Sequence, residues 1–334
     1  MVGLLHKEED MKPKVFVSRI IPKPALDMIA QACEMELNEE DKPLSKAELI
    51  ERIRDKDGLL CLLTDKIDEE VLSANPNLKV VANVAVGYDN IDVAAATRHK
   101  VMVTNTPGVL DNTTADFAWT LLMASARRLV QADKFTREGK YKGWGIMLFL
   151  GEDVYGKTLG ICGLGRIGRA VARRARGFDM RILYTDAVRA DPAVEQELGV
   201  TFVDKETLLR ESDFVTLHVP LLPETYHYIS TKELNMMKRT AHLINASRGP
   251  VVDEKALVQA LREKRIAGAA LDVFEEEPKL APGLAELENV TLAPHIASAS
   301  VETRTRMATM AAENLIAALS GKRPPNLVNT ELAS

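Results

Sequence analysis

Cysteine is scarce in this chain: Cys33, Cys61 and Cys162 are its three thiols, odd in number, far apart and each set in an apolar run. That spacing excludes a disulfide framework or a cysteine zinc site and fits a reducing cytoplasm. Long apolar runs are lacking as well, since none approaches the ~20 residues needed to span a bilayer. The opening MVGLLHKEED has neither the apolar stretch nor the cleavage site of a signal peptide. It reads as a polar tail, native or added, ahead of a natural beginning at Met11. A strong charge of either sign is also missing. The net charge of -5 leaves no footprint for nucleic acid or an anionic membrane. No internal repeat at solenoid periods and no low-complexity segment occurs.

What is present is ordinary globular material, 46% hydrophobic and 27% charged over 334 residues, which is enough for two domains. From Lys14 short β-branched runs alternate with amphipathic segments, the pattern of a parallel α/β sheet. KVFVS, EMEL, GLLCLL, LKVVANV and VMVTN give about five strands before residue 105. Ser45 and Glu48 stand at capping-box spacing before a helix over 46–54.

Residues 112–138 contain no proline or glycine, and Phe117, Leu121, Ala124 and Leu129 recur at helical spacing, which predicts one long helix. An arm, GKYKGWGIMLFLG, follows. A second α/β series then runs through TLGIC, RILYTD, DFVTLHVP, AHLINAS, IAGAALDVF and NVTLAP. A last helix over 300–319 ends before Gly321 and the Pro324-Pro325 pair.

Gly163, Gly165 and Gly168 form G-x-G-x-x-G between the strand TLGIC and a helix over 166–176. In such a turn the first glycine bends the chain, the second lets a pyrophosphate reach the backbone, and the third lets helix pack on strand. Asp186 closes the next strand, where an acidic group accepts from ribose hydroxyls. A 2'-phosphate there would meet a like charge at a cost of about 4 kcal/mol for 4 Å and an effective dielectric of ~20. That predicts NADH over NADPH by roughly a thousandfold. Arg189 is the reservation, because a nearby guanidinium could rescue the phosphate.

Six histidines are available. His6 lies in the tail, His99 in a polar helix end, His242 alternates into a strand as a core residue, and His227 follows a loop, capping or facing solvent. His218 and His295 each close a strand, where open α/β sheets place their ligands, and pattern leaves both open. Arg248 stands just past a strand with Gly249-Pro250 turning behind it, a planar fork suited to a small carboxylate. Residue physics does not choose among Glu275, Glu276 and Glu277, and an acidic turn serves no less well as the reading.

These residues collect into a resemblance covering nearly everything from Met11 to Asn329. VANVAVGYDNID, GKTLGICGLGRIG, LHVPLLPET, INASRGPVVDE, ALDVFEEEP and LAPHIAS resemble the D-isomer-specific 2-hydroxyacid dehydrogenases, in their glyoxylate and hydroxypyruvate reductase branch. The resemblance implies a fold of two doubly wound parallel-sheet domains. A Rossmann NAD-binding domain, 105–295, is inserted into a flavodoxin-like substrate domain formed by 12–104 with 296–330, and the cleft between them is the implied active site. It implies a catalytic trio of Arg248, Glu277 and His295. The implied cofactor set adds Arg166 and Ile167 of the glycine turn, Thr114, His218, Pro220, Ala246 and Asp272. Asn83, with the backbone amides of Val86 and Gly87, matches the substrate-carboxylate loop, and Ser298 and Trp144 join the substrate set. Trp144 often reaches the pocket of a neighbouring subunit in this branch, so a homodimer is implied. The sequence WGIMLF departs from relatives with a second tryptophan near Leu148. No metal is implied.

The expected reaction is reduction of glyoxylate or hydroxypyruvate to glycolate or D-glycerate. Arg248 binds and polarises the substrate while His295, partnered by Glu277, gives the proton. The alternatives are another D-2-hydroxyacid dehydrogenase, of 3-phosphoglycerate or D-lactate type, or an NAD-sensing, corepressor-like binding protein. No regulatory extension follows Ser334, which weighs against the phosphoglycerate type.

Overall fold

A computed structural model describes residues 12–332; the opening tail and its His6 lie outside the described residues. The chain divides into two units, one running to Leu110 and resuming at Ser300, the other comprising Asp111–Ala299.

The first unit is built on a fully parallel sheet of β1 (Lys14–Val17), β2 (Glu34–Leu37), β3 (Gly58–Cys61), β4 (Val80–Asn83) and β5 (Met102–Thr104). The spatial order is β2-β1-β3-β4-β5, the flavodoxin-like winding. Every residue of β3 and β4 is buried, which is why these strands read as continuous apolar runs without alternation. The helix Lys46–Ile53 begins with the expected capping box: the Ser45 amide donates to Glu48 Oε2 at 2.8 Å, and the Glu48 amide donates to Ser45 Oγ at 3.3 Å. The helix Val301–Leu319, capped by Ser300, returns to this sheet and buries Ala308, Ala311, Ala312 and Leu315. A Cβ on Gly58 would lie 2.9 Å from Leu315 Cδ1, so glycine there lets helix and strand close up.

The second unit holds seven parallel strands: β6 (Thr158–Cys162), β7 (Arg181–Thr185), β8 (Val200–Phe202), β9 (Phe214–Leu217), β10 (His242–Asn245), β11 (Gly268–Leu271) and β12 (Val290–Leu292). Their order is β12-β11-β10-β9-β6-β7-β8. The winding runs outward in both directions from β6, so the switch point, where such sheets take ligands, lies between β6 and β9. Six of these strands are legible in the sequence. The three-residue edge strand β8 is not. Leu159, Ile161, Tyr184 and Phe214 are fully or almost fully buried, each stabilising the core by roughly 1.5–3 kcal/mol.

The structure departs from the single long helix expected after Asn112. The segment 112–138 is two helices, Asp111–Ala126 and Leu129–Arg137, with Arg128 between them at φ 52°. The cause comes from downstream in the chain. The Glu152 amide takes the Ala126 carbonyl at 2.9 Å, and a Cβ on Gly151 would lie 2.3 Å from that same oxygen. The arm returning to the sheet thus occupies the space and the acceptor that a continuous helix would need.

Candidate active site

The glycine turn between β6 and the helix Arg166–Ala175 divides its labour by position. Gly163 has φ 94°, and a Cβ there would meet the His218 carbonyl at 2.8 Å. A Cβ on Gly168 would stand 2.1 Å from the Gly163 oxygen, whereas one on Gly165 would meet nothing within 4 Å. The first and third glycines are therefore required by the fold, and the second leaves open space at a helix N-terminus that no side chain caps. Backbone N–H groups at such an end favour an anion.

Around the turn stand the other expected cofactor residues. Asp186 accepts from the Leu164 amide at 2.7 Å and from its neighbour Ala187 at 2.7 Å, which ties its carboxylate to the glycine turn. Arg166 is exposed and close enough to Asp111 for their charges to interact, and Ile167 packs on the core. His218 bonds Thr216 Oγ1 through Nε2 at 2.9 Å, and burial holds its pKa down to about 4, so the ring is neutral. Its Nδ1 is buried with no hydrogen-bond partner among the described residues. Thr114 and Ala246 are buried and Pro220 is exposed. The open glycine, the uncapped helix end, the acidic acceptor and the orphaned imidazole nitrogen together fit a dinucleotide.

Arg189 is committed to a partner within the protein. Its guanidinium grips Glu195 through two hydrogen bonds of 2.8 Å, and Tyr184 Oη donates to the same carboxylate at 2.6 Å. Arg189 first and Tyr184 second hold the Glu195 pKa down to about 2 against burial.

The acid–base candidates converge at the carboxyl ends of β10, β11 and β12. His295 Nδ1 lies 2.9 Å from Glu277 Oε2, and both side chains remain partly open to solvent, 26% and 32% exposed. The other Glu277 oxygen accepts from the Phe274 amide at 3.0 Å. Burial pushes the Glu277 carboxyl upward. The hydrogen bond and charge of His295, the Phe274 amide and the Arg248 charge outweigh it, and the pKa sits below the ordinary glutamate value. Arg248 donates through Nη1 to its neighbouring Ser247 carbonyl at 2.9 Å. Asn245 clamps the Arg248 turn by donating to the Arg248 carbonyl at 2.9 Å.

The structure separates the three glutamates that sequence left equivalent. Glu277 faces His295, Glu275 bonds His227 Nε2 at 2.7 Å, and Glu276 is exposed. His227, read as capping or facing solvent, is instead a half-buried partner of Glu275 and adopts φ 49°.

Asp272 has an occupation that sequence did not reveal. It is fully buried, and its two carboxylate oxygens accept from the Ile296 and Ala297 amides at 2.7 and 2.8 Å, while its carbonyl accepts from the His295 amide at 2.8 Å. His295 has φ 55°, a conformation costing about 1–3 kcal/mol for a side-chain-bearing residue. Three bonds from Asp272 therefore fix the strained turn that aims the imidazole. Burial raises the Asp272 pKa despite those amides and His295. Ser298, three residues beyond His295, is half-buried.

In the first unit Asn83 is buried at the end of β4 and donates to the Gly87 carbonyl at 2.9 Å, while Asn105 donates to the Val86 carbonyl at 2.8 Å. The Ala85 carbonyl accepts from Thr106. Three successive carbonyls of this loop are thus tied down. In the arm, Trp144 is 79% exposed and is accompanied by exposed Ile146, Met147 and Leu150.

The winding order and the glycine turn place Asp111–Ala299 among dinucleotide-binding α/β domains. Comparison with known proteins carries this further. Residues 119–297 match the family model of the D-isomer specific 2-hydroxyacid dehydrogenase NAD-binding domain. The chain is 61% identical to a glyoxylate reductase of Korarchaeum cryptofilum, covering 96% of this chain and 97% of that one, and 55% identical to one of Thermococcus gammatolerans with the same coverage. Among solved structures, a Thermus thermophilus protein superposes with TM-score 0.89 at 45% identity, covering 94% of this chain and 99% of that one. An NADPH-dependent glyoxylate/hydroxypyruvate reductase of Sinorhizobium meliloti, solved with NADP and malonate, gives 0.84 at 34%, covering 95% and 97%. The chain belongs to the D-isomer-specific 2-hydroxyacid dehydrogenase family, whose members are nicotinamide-dependent dehydrogenases. Among the described residues no helix is long and apolar enough to cross a membrane.

Proposed function

We propose that this protein reduces glyoxylate to glycolate, and hydroxypyruvate to D-glycerate, with NADH as the preferred coenzyme. The observation that carries the reading is the 2.9 Å pairing of His295 with Glu277, with the Arg248 charge reaching the same carboxylate. The names of the relatives support the substrate class. NADH bound at the glycine turn supplies the hydride. With Nδ1 committed to Glu277, His295 presents Nε2 to the substrate, and the proton leaves from that atom to the nascent alkoxide. The Arg248 fork holds the substrate carboxylate and polarises the keto oxygen. The hydrogen bond and charge of His295 favour ionised Glu277, the form that accepts from the ring and holds it in place.

For the coenzyme, Asp186 disfavours a 2'-phosphate, and Glu195 keeps the Arg189 guanidinium engaged. The apolar arm around Trp144 supports a homodimer in which it is covered. Three buried free cysteines suit a reducing cytoplasm.

Mixing the protein with NADH and glyoxylate or hydroxypyruvate and following the loss of NADH absorbance tests the reading. Turnover of both supports it, and turnover of no 2-keto acid assigns the chain to the NAD-sensing binding class.

A further inference from the structure

Glu254 opens the helix Glu254–Arg262 yet is only 3% exposed. Both of its carboxylate oxygens go to backbone amides at the two ends of one loop. Oε1 accepts from Glu275 at 2.7 Å, and Oε2 accepts from Ala281 at 3.1 Å. The Glu254 amide answers by donating to Glu275 Oε2 at 3.2 Å. Between those anchors lies Glu277, the partner of His295. A buried carboxylate is a costly way to begin a helix, because an exposed acid in the same turn would complement the helix dipole without desolvation. The cost is repaid only if the amides it holds matter.

We propose that Glu254 is a positioning residue for the reduction: its carboxylate staples both ends of the 275–281 loop and so keeps Glu277 at hydrogen-bond distance from His295. Asp272 does the complementary work on the other partner, holding the amides that follow His295. Two buried carboxylates, on two different elements, each fix one member of the pair. Without the Glu254 carboxylate the loop keeps only side-chain ties, His227 and the residue-254 amide to Glu275 and the Phe274 amide to Glu277, its own backbone amides at 275 and 281 are released, and Glu277 drifts from the imidazole. A glutamine at 254 keeps the shape but presents an N–H group to one of two N–H donors, so one staple is lost.

The inference rests on the reading of His295 and Glu277 as the acid–base pair, and the experiment separates the two. Wild type, Glu254→Gln, Glu277→Gln and the double variant are compared by kcat across pH, by NADH titration, and by hydrogen exchange over 275–281. Glu254→Gln is expected to lower kcat about 10-fold or more, the scale of a sub-ångström misplacement. NADH affinity stays within about twofold, a change that misplacing Glu277 alone does not cause. The loop amides exchange faster, and the pH profile of kcat changes in the same sense as in Glu277→Gln. In the Glu277→Gln background the second substitution removes little more, because both act through one contact. Wild-type kcat and pH profile in Glu254→Gln, or losses that multiply in the double variant, overturn the inference alone. Full kcat in Glu277→Gln overturns the acid–base reading and the inference with it. Should Glu254→Gln fail to fold, Glu254→Asp, which keeps the charge but shortens the reach, is judged by the same criteria.

Discussion

A Cβ on Gly249 would lie 1.8 Å from the carbonyl oxygen of Phe274, so the turn behind Arg248 and the loop leading to Glu277 meet backbone to backbone. Neither chain can yield as a flexible side chain would. Gly249→Ala therefore separates the guanidinium from the His295–Glu277 pair. A displacement near 1 Å is worth about 100-fold in rate. Steady-state kinetics with an NADH titration should find kcat lowered by that order with coenzyme affinity kept, and near-normal kcat would show that this approach does not govern the site.

The second and third glycines of the nucleotide turn should fail in different ways. Gly168→Ala collides with the Gly163 carbonyl and should unfold the turn, lowering the melting temperature and NADH binding together. Gly165→Ala meets no protein atom within 4 Å, so melting should be unchanged while NADH affinity falls. Calorimetry beside a binding titration distinguishes these outcomes, and a Gly165→Ala variant that binds NADH normally would remove that open space from the coenzyme site.

Coenzyme choice should respond to Glu195, acting through Arg189. Glu195→Gln removes the anion that engages Arg189 and frees its charge for a 2'-phosphate. The ratio of kcat/KM for NADPH to that for NADH should rise about tenfold, the worth of one charge-assisted hydrogen bond. An unchanged ratio would place Arg189 out of reach of the coenzyme.

His242 is buried, bonds Ser125 Oγ at 2.8 Å, and has its pKa held down to about 4 by burial. The unfolded chain therefore takes up this proton first, near pH 6.5, so the stability is complete above that pH and is lost as pH falls toward 4. Denaturant unfolding of the coenzyme-free protein should show a decline in that window. His242→Gln should remove on the order of 3 kcal/mol of it, leaving the His218 share. An equally steep decline in the variant would contradict the assignment.

Sequence was most informative where structure is local. Among the described residues, short β-branched or apolar runs exposed eleven of the twelve strands, and glycine spacing located the nucleotide turn. The break at Arg128 could not be read, because its cause is the Glu152 amide and the close approach of Gly151, more than twenty residues downstream. The roles of Asp272 and Glu254 were hidden for a related reason. A carboxylate that accepts from distant backbone amides leaves no periodicity, and its partners carry no side-chain signature. His227 illustrates the same limit, since Glu275 lies 48 positions away and looks no different from its two neighbours.

The most direct test of the proposed chemistry is kcat for NADH-dependent glyoxylate reduction, measured against pH in the wild type and in Glu277→Gln. Glu277 must be ionised to hold His295, and its pKa sits below the ordinary glutamate value, so the wild-type rate is lost only as pH falls through that lowered titration. Without the carboxylate that low-pH fall should be absent, with kcat down about 100-fold at neutrality. Superimposable profiles with equal kcat would contradict the account.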